Sequence, residues 1–218
     1  TVELLEAAGY RVEVANTGCC GRPMISKGLL NEAAAAARSN VAALYRYAER
    51  GIPIIGCEPS CLLTFRDEYP EMVNDDQTRA IAENSYLIDE FLAMLQDKGE
   101  LELKFSQLSK QVLFHGHCHQ KALVGTGPTM RALELAGFTA ELIDSPCCGM
   151  AGTFGFEAEH YQMSKEIGAF KLFPAIEAAD KKDWSVAISG ISCRQQIDHF
   201  TSKRPRHVVE YLADALRG

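Results

Sequence analysis

Residues 129–149, TMRALELAGFTAELIDSPCCG, align without a gap to residues 1–21, TVELLEAAGYRVEVANTGCCG. Nine of the twenty-one positions are identical, and both copies end in two adjacent cysteines followed by glycine. We call these triplets the first CCG turn (Cys19, Cys20 and Gly21) and the second CCG turn (Cys147, Cys148 and Gly149). Self-similarity of this kind indicates that the chain builds the same structural unit twice.

Each copy continues in the same order beyond its CCG turn. A helical pattern follows, and then an apolar strand that leads into one more cysteine, Cys61 in the first copy and Cys193 in the second. The second copy has an additional strand in front, residues 111–115, which leads into Cys118. We therefore expect a counterpart of Cys118 about ten residues before Thr1, in sequence that precedes this chain.

The alternation of strands and helices predicts the fold class. Short connections between them favour parallel sheets with right-handed crossovers, so an α/β protein is expected. The repeat predicts two pseudo-symmetric Rossmann-like lobes, each carrying a CCG turn, with residues 1–105 as the first and residues 106–218 as the second. Because such sheets bind ligands at the carboxyl ends of their strands, the cysteines are expected to face a common crevice.

Three local predictions accompany this fold. In residues 11–15, β-branched valines alternate with other residues, and this pattern predicts a strand before the first CCG turn. Residues 77–94 have helical spacing throughout. A helix is predicted from Phe156 to Phe173, ending before Pro174 because proline disrupts a helix interior.

Composition limits the function classes. The 218 residues carry a net charge of −7, so no basic surface for nucleic acid is expected. Apolar runs fall short of the roughly 20 residues that a membrane span needs, and no signal peptide opens the sequence. A cytoplasmic protein is expected, and any association with the inner face of the cell membrane would be peripheral.

Eight cysteines in such a protein need a purpose. A disulfide scaffold is disfavoured, because nothing indicates secretion and a chain of this length can bury a core without crosslinks. Zinc or an iron–sulfur cluster would both suit the thiols of the second copy: Cys118, Cys147, Cys148 and Cys193. A cluster is favoured over zinc, because adjacent cysteines point apart and the CxxC spacing typical of zinc sites does not occur. In the first copy the candidate metal ligands are Cys19, Cys20 and Cys61, and whether Cys57 is a ligand is left open.

Glycines and histidines surround the second set of cysteines. Gly149 and Gly152 would let backbone N–H groups turn towards a negatively charged cluster, helped by the start of the helix at Phe156; a plain glycine-rich turn is the alternative. His117 and His119 flank Cys118 and are expected to hydrogen-bond around the metal ligands, with direct ligation as the alternative. His115, on the strand, would also suit a satisfied core position.

Five segments carry a resemblance to a known family: CCGRPMISKGLL (19–30), EPSCLLTFRDEYP (58–70), HGHCHQKALVG (115–125), CCGMAGTFGFEAEHY (147–161) and SGISCRQQI (189–197). The sequence resembles the cysteine-rich CCG-domain family. That family includes the B subunit of heterodisulfide reductase, lactate-utilisation iron–sulfur proteins, and the iron–sulfur subunits of glycolate oxidase and anaerobic glycerol-3-phosphate dehydrogenase. The branch it looks most similar to is the C-terminal iron–sulfur part of FAD-linked oxidases of the D-lactate dehydrogenase type.

The resemblance implies an electron-transfer module of a flavin-dependent 2-hydroxy-acid dehydrogenase. It implies [4Fe–4S] clusters here, FAD in an upstream domain or subunit that also holds the substrate, and a quinone or other electron acceptor. No catalytic residue is assigned in this chain. Gly190 stands where the family's CxxC has its first cysteine, which favours an ordinary four-ligand cluster. A thiol/disulfide reductase of the heterodisulfide reductase type and a zinc-stabilised interaction module remain alternatives.

Overall fold

A computed structural model describes residues 1–217. The six strands of this part are β1 (Ile54–Gly56), β2 (Ser85–Leu87), β3 (Gln111–His115), β4 (Thr139–Leu142), β5 (Ser185–Ile188) and β6 (Arg206–His207). Its α-helices are α1 (Val2–Ala7), α2 (Arg22–Ser26), α3 (Leu30–Ala48), α4 (Pro59–Arg66), α5 (Glu68–Val73), α6 (Asp76–Glu83), α7 (Ile88–Lys98), α8 (Cys118–Leu123), α9 (Gly127–Leu135), α10 (Tyr161–Lys181), α11 (Ile191–Phe200) and α12 (Val208–Arg217). Among these helices, none has the length and apolar character required to cross a bilayer.

The chain forms two compact units. The large unit consists of Thr1–Val12 and the chain from Asp89 onward, and the small unit is Glu13–Ile88. These units do not follow the sequence repeat, because α1 lies in the large unit whereas the first CCG turn, which follows it in sequence, lies in the small unit. The lobe limits of residues 1–105 and 106–218 stay a prediction.

The large unit is built on a four-stranded sheet with the order β4-β3-β5-β6. Every neighbouring pair is parallel, as the alternation of strands and helices predicted. β3 lies inside the sheet, and its residues from Val112 to His115 are all buried, which is typical of a parallel strand covered on both faces. The carboxyl ends of β4, β3 and β5 consequently lie side by side at one edge.

The small unit has a two-stranded parallel sheet, β1-β2, packed with helices. α3 is its longest helix and owes its length to an alanine-rich sequence of high helix propensity. One face of α3 is buried against α5 and α6. α4 begins after Glu58, whose carboxylate accepts a hydrogen bond from the Ser60 backbone N–H, with Pro59 in the first turn.

The strand predicted for residues 11–15 is wrong. This segment has no regular structure, and Val14 within it is 82% exposed. Its equivalent in the second copy of the repeat is the strand β4, which pairs with β3. Alternating side chains do not suffice for a strand: the backbone also needs a neighbouring ladder, which only the second copy has among the described residues.

The single helix predicted for residues 77–94 is also wrong. The structure divides this stretch into α6, β2 and α7. The amide of Asn84 donates to the Ala80 carbonyl at 2.8 Å, and the Ser85 hydroxyl donates to the Ile81 carbonyl at 2.7 Å. Such side-chain bonds compete with helix continuation, and β2 gains a parallel ladder with β1 instead.

The predicted helix from Phe156 to Phe173 differs from α10 at both ends. Two 3₁₀ turns, Phe154–Phe156 and Ala158–His160, precede α10, which begins at Tyr161. α10 then continues through Pro174 to Lys181. Burial of Leu172, Phe173 and Ile176 on either side of the proline offsets its cost of about 3 kcal/mol in a helix interior.

Candidate metal centre

The second CCG turn follows β4 and holds two cysteines in different environments. Cys147 is half-buried and Cys148 is buried. The backbone N–H of Gly149 donates to the Cys147 Sγ atom at 3.3 Å, and Gly149 has a φ of +104°. A Cβ atom on Gly149 would lie 2.2 Å from the Ser164 carbonyl oxygen. Both the backbone angle and the space therefore require glycine at this position.

Four cysteine thiols meet at the carboxyl ends of three neighbouring strands. Cys118 begins α8 just after β3, the second CCG turn follows β4, and Cys193 lies in the first turn of α11 after β5. The Cys147 thiol contacts those of Cys118 and Cys148, and Cys148 in turn contacts Cys193. The four sulfurs thus form one continuous group. They lie at the carboxyl ends of the strands, which is the edge of the sheet predicted from the sequence.

These contacts separate the acidities of the four thiols. The Cys118 thiol lowers the pKa of Cys147, and the Cys148 thiol lowers the pKa of Cys193 well below its ordinary value. The pKa values of Cys118 and Cys148 are raised, first by hydrogen bonding to Cys147 and then by other thiols and burial. A cation bound by all four sulfurs would displace the protons retained by Cys118 and Cys148.

His115 completes the buried side of this group. It is the last residue of β3 and is 0% exposed. One of its ring nitrogens and the sulfurs of Cys148 and Cys193 all lie within 4.8 Å of one another. Apart from the Cys193 thiol, neither ring nitrogen of His115 has a hydrogen-bond partner within residues 1–217. The satisfied core position that the sequence left open for His115 stays a prediction.

His117 caps the helix that carries Cys118. It is the N-cap residue of α8, and its Nδ1 atom accepts a hydrogen bond from the backbone N–H of His119 at 3.2 Å. The Nε2 atom of His117 lies 3.5 Å from the Ser192 hydroxyl, next to Cys193. His117 therefore orients the first turn of α8. The roles predicted for His117 and His119 at a cofactor stay predictions.

A network of buried polar side chains holds α8 in place. The backbone N–H of His117 donates to the Ser189 hydroxyl at 2.9 Å, and that hydroxyl donates to the side-chain carbonyl of Gln120 at 2.6 Å. The Gln120 amide donates to the Asp89 carboxylate at 3.1 Å, and the Thr129 hydroxyl donates to the same oxygen. All five residues are buried, so each bond satisfies a polar group that water cannot reach.

Asp89 should make the stability of the large unit depend on pH. Burial raises the pKa of its carboxyl above the unfolded value of about 3.9, so the folded chain retains a proton longer than the unfolded chain. This contribution to stability is present below the unfolded pKa and is lost as pH rises through the folded pKa. We expect Asp89→Asn to remove a slope of at most about 1.4 kcal/mol per pH unit. Urea unfolding followed by Trp184 fluorescence at several pH values measures it, and parallel curves for the two proteins would contradict the assignment.

The first CCG turn repeats the local geometry of the second. The backbone N–H of Gly21 donates to the Cys19 Sγ atom at 3.5 Å, and Gly21 has a φ of +88°. The Cys20 thiol contacts those of Cys19 and Cys61, and Cys61 lies in α4. The small unit therefore brings together three of its four cysteines. Cys57 is half-buried in the connection between β1 and α4, and its role stays open.

The same contacts shift the acidities of the thiols in the small unit. The Cys61 thiol, through a hydrogen bond, lowers the pKa of Cys20 to about 6. The reciprocal effect, with burial, raises the pKa of Cys61. This lowered pKa favours the thiolate of Cys20, which is the form in which cysteine binds metals.

Two buried residues that the sequence reasoning missed hold the first CCG turn in place. The Asn40 side chain accepts from the Gly18 N–H at 2.9 Å and donates to the Cys19 carbonyl at 3.0 Å. The Tyr69 hydroxyl donates to the Cys20 carbonyl at 2.9 Å. A signal was present, because Asn40 lies on the otherwise apolar buried face of α3.

The residues after the second CCG turn differ from the prediction. Gly152 has a φ of +68°, so its backbone does adopt a conformation that favours glycine. The helix expected to start at Phe156 begins only at Tyr161, after the two 3₁₀ turns. The partial positive charge of a helix N-terminus at Phe156 is therefore not available to the site. Whether Gly149 and Gly152 contact a cofactor stays a prediction.

The donor atoms of the second site fit an iron–sulfur cluster. Four sulfurs and one buried imidazole face one another, and no carboxylate belongs to the group. Soft thiolate donors select iron–sulfur clusters, zinc or copper(I) over calcium and magnesium. Cys118, Cys147, Cys148 and Cys193 are the residues that would hold the cluster in the large unit, and Cys19, Cys20 and Cys61 are the corresponding residues of the small unit.

Comparison with known proteins finds a family with the same motif. Residues 1–66 match the family described as the cysteine-rich domain, CCG. This match contains the first CCG turn and Cys61.

Several curated proteins are similar over most of the chain. The C subunit of anaerobic glycerol-3-phosphate dehydrogenase from Escherichia coli (strain K12) is 34% identical over 218 residues, covering 99% of this chain and 54% of that protein. D-2-hydroxyglutarate dehydrogenase of the same organism is 28% identical, covering 99% of this chain and 21% of that protein. Lactate utilization protein A of Oceanobacillus iheyensis is 29% identical over 177 residues, covering 77% of this chain and 68% of that protein. The chain thus spans about half, or less, of the length of the first two relatives.

Proposed function

The chain belongs to the CCG cysteine-rich domain family, and from that premise we propose that it is an iron–sulfur electron-transfer module of a flavin-linked dehydrogenase. The observation that carries the proposal is the group of four thiols at the carboxyl ends of β4, β3 and β5. Two relatives that align over 99% of the chain are named as a dehydrogenase or as part of one, which supports the same class of reaction.

The ligand set we propose for the large unit is Cys118, Cys147, Cys148 and Cys193, around a [4Fe–4S] cluster. Such a cluster, when bound, supplies one-electron transfer. The protein's own contribution is to hold the sulfurs and to exclude water, since Cys148 is 4% and Cys193 is 1% exposed. The Gly149 N–H stabilises negative charge on Cys147 through its hydrogen bond.

Cys19, Cys20 and Cys61 would hold a second cluster with a fourth ligand from outside residues 1–217 or from Cys57. The shared Gly-to-Cys hydrogen bond of the two CCG turns supports this duplication. In this proposal the two lobes of the repeat, residues 1–105 and 106–218, are pseudo-symmetric Rossmann-like halves. Gly149, Gly152, His117 and His119 would contact the second cluster or its ligands.

The electron donor and acceptor belong to the proposal as well. We place FAD and the substrate in an upstream flavin domain or a separate flavin subunit. The substrate class is a 2-hydroxy acid of the D-lactate type, to which the name of the D-2-hydroxyglutarate relative also points. Electrons would pass from FAD through these clusters to a quinone or another acceptor. A cytoplasmic protein that associates peripherally with the inner face of the cell membrane fits this role.

Iron and sulfide analysis after anaerobic purification tests the proposal. We expect about four irons, with an equal amount of acid-labile sulfide, for each occupied site, because four thiolates match a [4Fe–4S] cluster. Reduction by the flavin partner with its substrate should then change the cluster's absorbance. Zinc without sulfide would overturn the proposal in favour of an interaction module. Steady turnover of a disulfide substrate would instead indicate a reductase of the heterodisulfide type.

A further inference from the structure

We propose that His115 donates a ring N–H hydrogen bond to the Cys193 sulfur and thereby raises the reduction potential of the cluster in the large unit. The inference rests on the proposed function, because it assumes a cluster bound by the four cysteines. It deepens that function by assigning a residue that controls the potential from the buried side of the site.

The His115 side chain lies beside two cysteine sulfurs of the large unit. It is completely buried at the end of β3, paired in the sheet with Ile188 of β5. Apart from the Cys193 thiol, neither ring nitrogen has a hydrogen-bond partner in the described chain, although buried polar groups are rarely left unpaired. The sulfurs of Cys148 and Cys193 lie within 4.8 Å of a ring nitrogen, so they are the acceptors within reach.

Cys193 is the better acceptor of the two. The His115 ring contacts the Cys193 thiol. Cys193 is also only 1% exposed, so water cannot stabilise negative charge on its sulfur. A hydrogen bond from the buried His115 ring would add to the stabilisation of that charge.

Direct ligation of a metal by His115 is less consistent with its surroundings. A ligating histidine normally donates its second ring N–H to a carboxylate, a carbonyl or water. No carboxylate or carbonyl within residues 1–217 accepts a hydrogen bond from His115. Four thiolates already complete the ligand set of a four-iron cluster.

A hydrogen bond to a cluster sulfur favours the reduced state, because reduction adds negative charge to the cluster and its ligands. His115→Leu removes the donor at similar volume. We expect this variant to keep its iron and sulfide and to show a more negative midpoint potential in an EPR-monitored redox titration. His115→Gln retains an N–H donor and should lie closer to wild type. Val112→Ala, a buried change on the same strand, should leave the potential unchanged and so controls for loosened packing.

Spectroscopy of the wild-type protein provides a test that does not depend on folding of the variants. With ¹⁵N-labelled histidine, a weak nitrogen coupling of a hydrogen-bonded ring is expected in pulsed EPR of the reduced cluster. A potential unchanged in His115→Leu, or no coupling in wild type, would overturn the donor role. A strong coupling from a coordinated nitrogen, with iron lost in His115→Leu, would overturn it in favour of ligation. Wild-type protein without iron and sulfide would overturn the proposed function itself, which separates the two failures.

Discussion

Cys148→Ser is expected to lose the whole iron–sulfur cluster of the large unit. The Cys148 sulfur lies between those of Cys147 and Cys193 and is 4% exposed, so its loss interrupts the group of ligands at its centre. A serine hydroxyl is a poor ligand for a site of soft thiolate donors. We expect about four irons fewer per chain, with an equal loss of sulfide and of the cluster's EPR signal.

Cys20→Ser is the matched control, because Cys20 occupies the equivalent position of the first CCG turn. It should affect the site in the small unit and leave the EPR signal of the large unit intact. Comparison of the two variants by iron analysis and EPR therefore assigns each cluster to its turn. Unchanged iron content in Cys148→Ser, with the variant still folded, would refute the ligand assignment.

Gly149→Ala is expected to destabilise the large unit by about 2–6 kcal/mol. A non-glycine residue at a φ of +104° costs about 1–3 kcal/mol. The new Cβ atom would lie 2.2 Å from the Ser164 carbonyl oxygen and 2.8 Å from the Gln196 amide nitrogen. Forcing apart these buried groups adds about 1–3 kcal/mol. The same displacement would move the Gly149 N–H away from Cys147.

Gly125→Ala separates the two causes. Gly125 also belongs to the large unit and has a φ of +82°, but no atom lies within 4 Å of the Cβ position. This variant should lose about 1–3 kcal/mol of the free energy of unfolding, which is the cost of the backbone conformation alone. Urea unfolding followed by the fluorescence of Trp184, the single tryptophan, reports on this unit for both variants. Equal losses would show that the close approach at Ser164 carries no cost.

The sequence alone was sufficient for the largely buried strands of the large unit. β3 was predicted at residues 111–115 and has those limits in the structure, because the apolar residues from Val112 to Phe114 suit a strand covered on both faces. The apolar strand predicted before Cys193 is also present, as β5. Since cysteines follow these strands directly, the meeting of Cys118 with Cys147 and Cys193 could be inferred from chain order and the rule for parallel sheets.

Secondary structure that depends on residues distant in sequence could not be predicted in this way. Residues 11–15 and β4 occupy equivalent positions of the repeat, but only β4 has a neighbouring strand among the described residues. Pro174 was expected to end a helix, yet buried neighbours on both sides keep α10 intact. In each case the deciding free energy comes from contacts that local sequence does not specify.

The duplicated CCG motif and the order of cysteines were determined by the sequence itself, because covalent order and side-chain type are sufficient to bring thiols to neighbouring strand ends. The tertiary structure alone decided which groups surround those thiols. It brings His115 against Cys193 without another hydrogen-bond partner in the described chain, and it brings Asn40 and Tyr69 onto the backbone of the first CCG turn. These contacts join residues far apart in sequence, and burial away from water gives each of them its energetic weight.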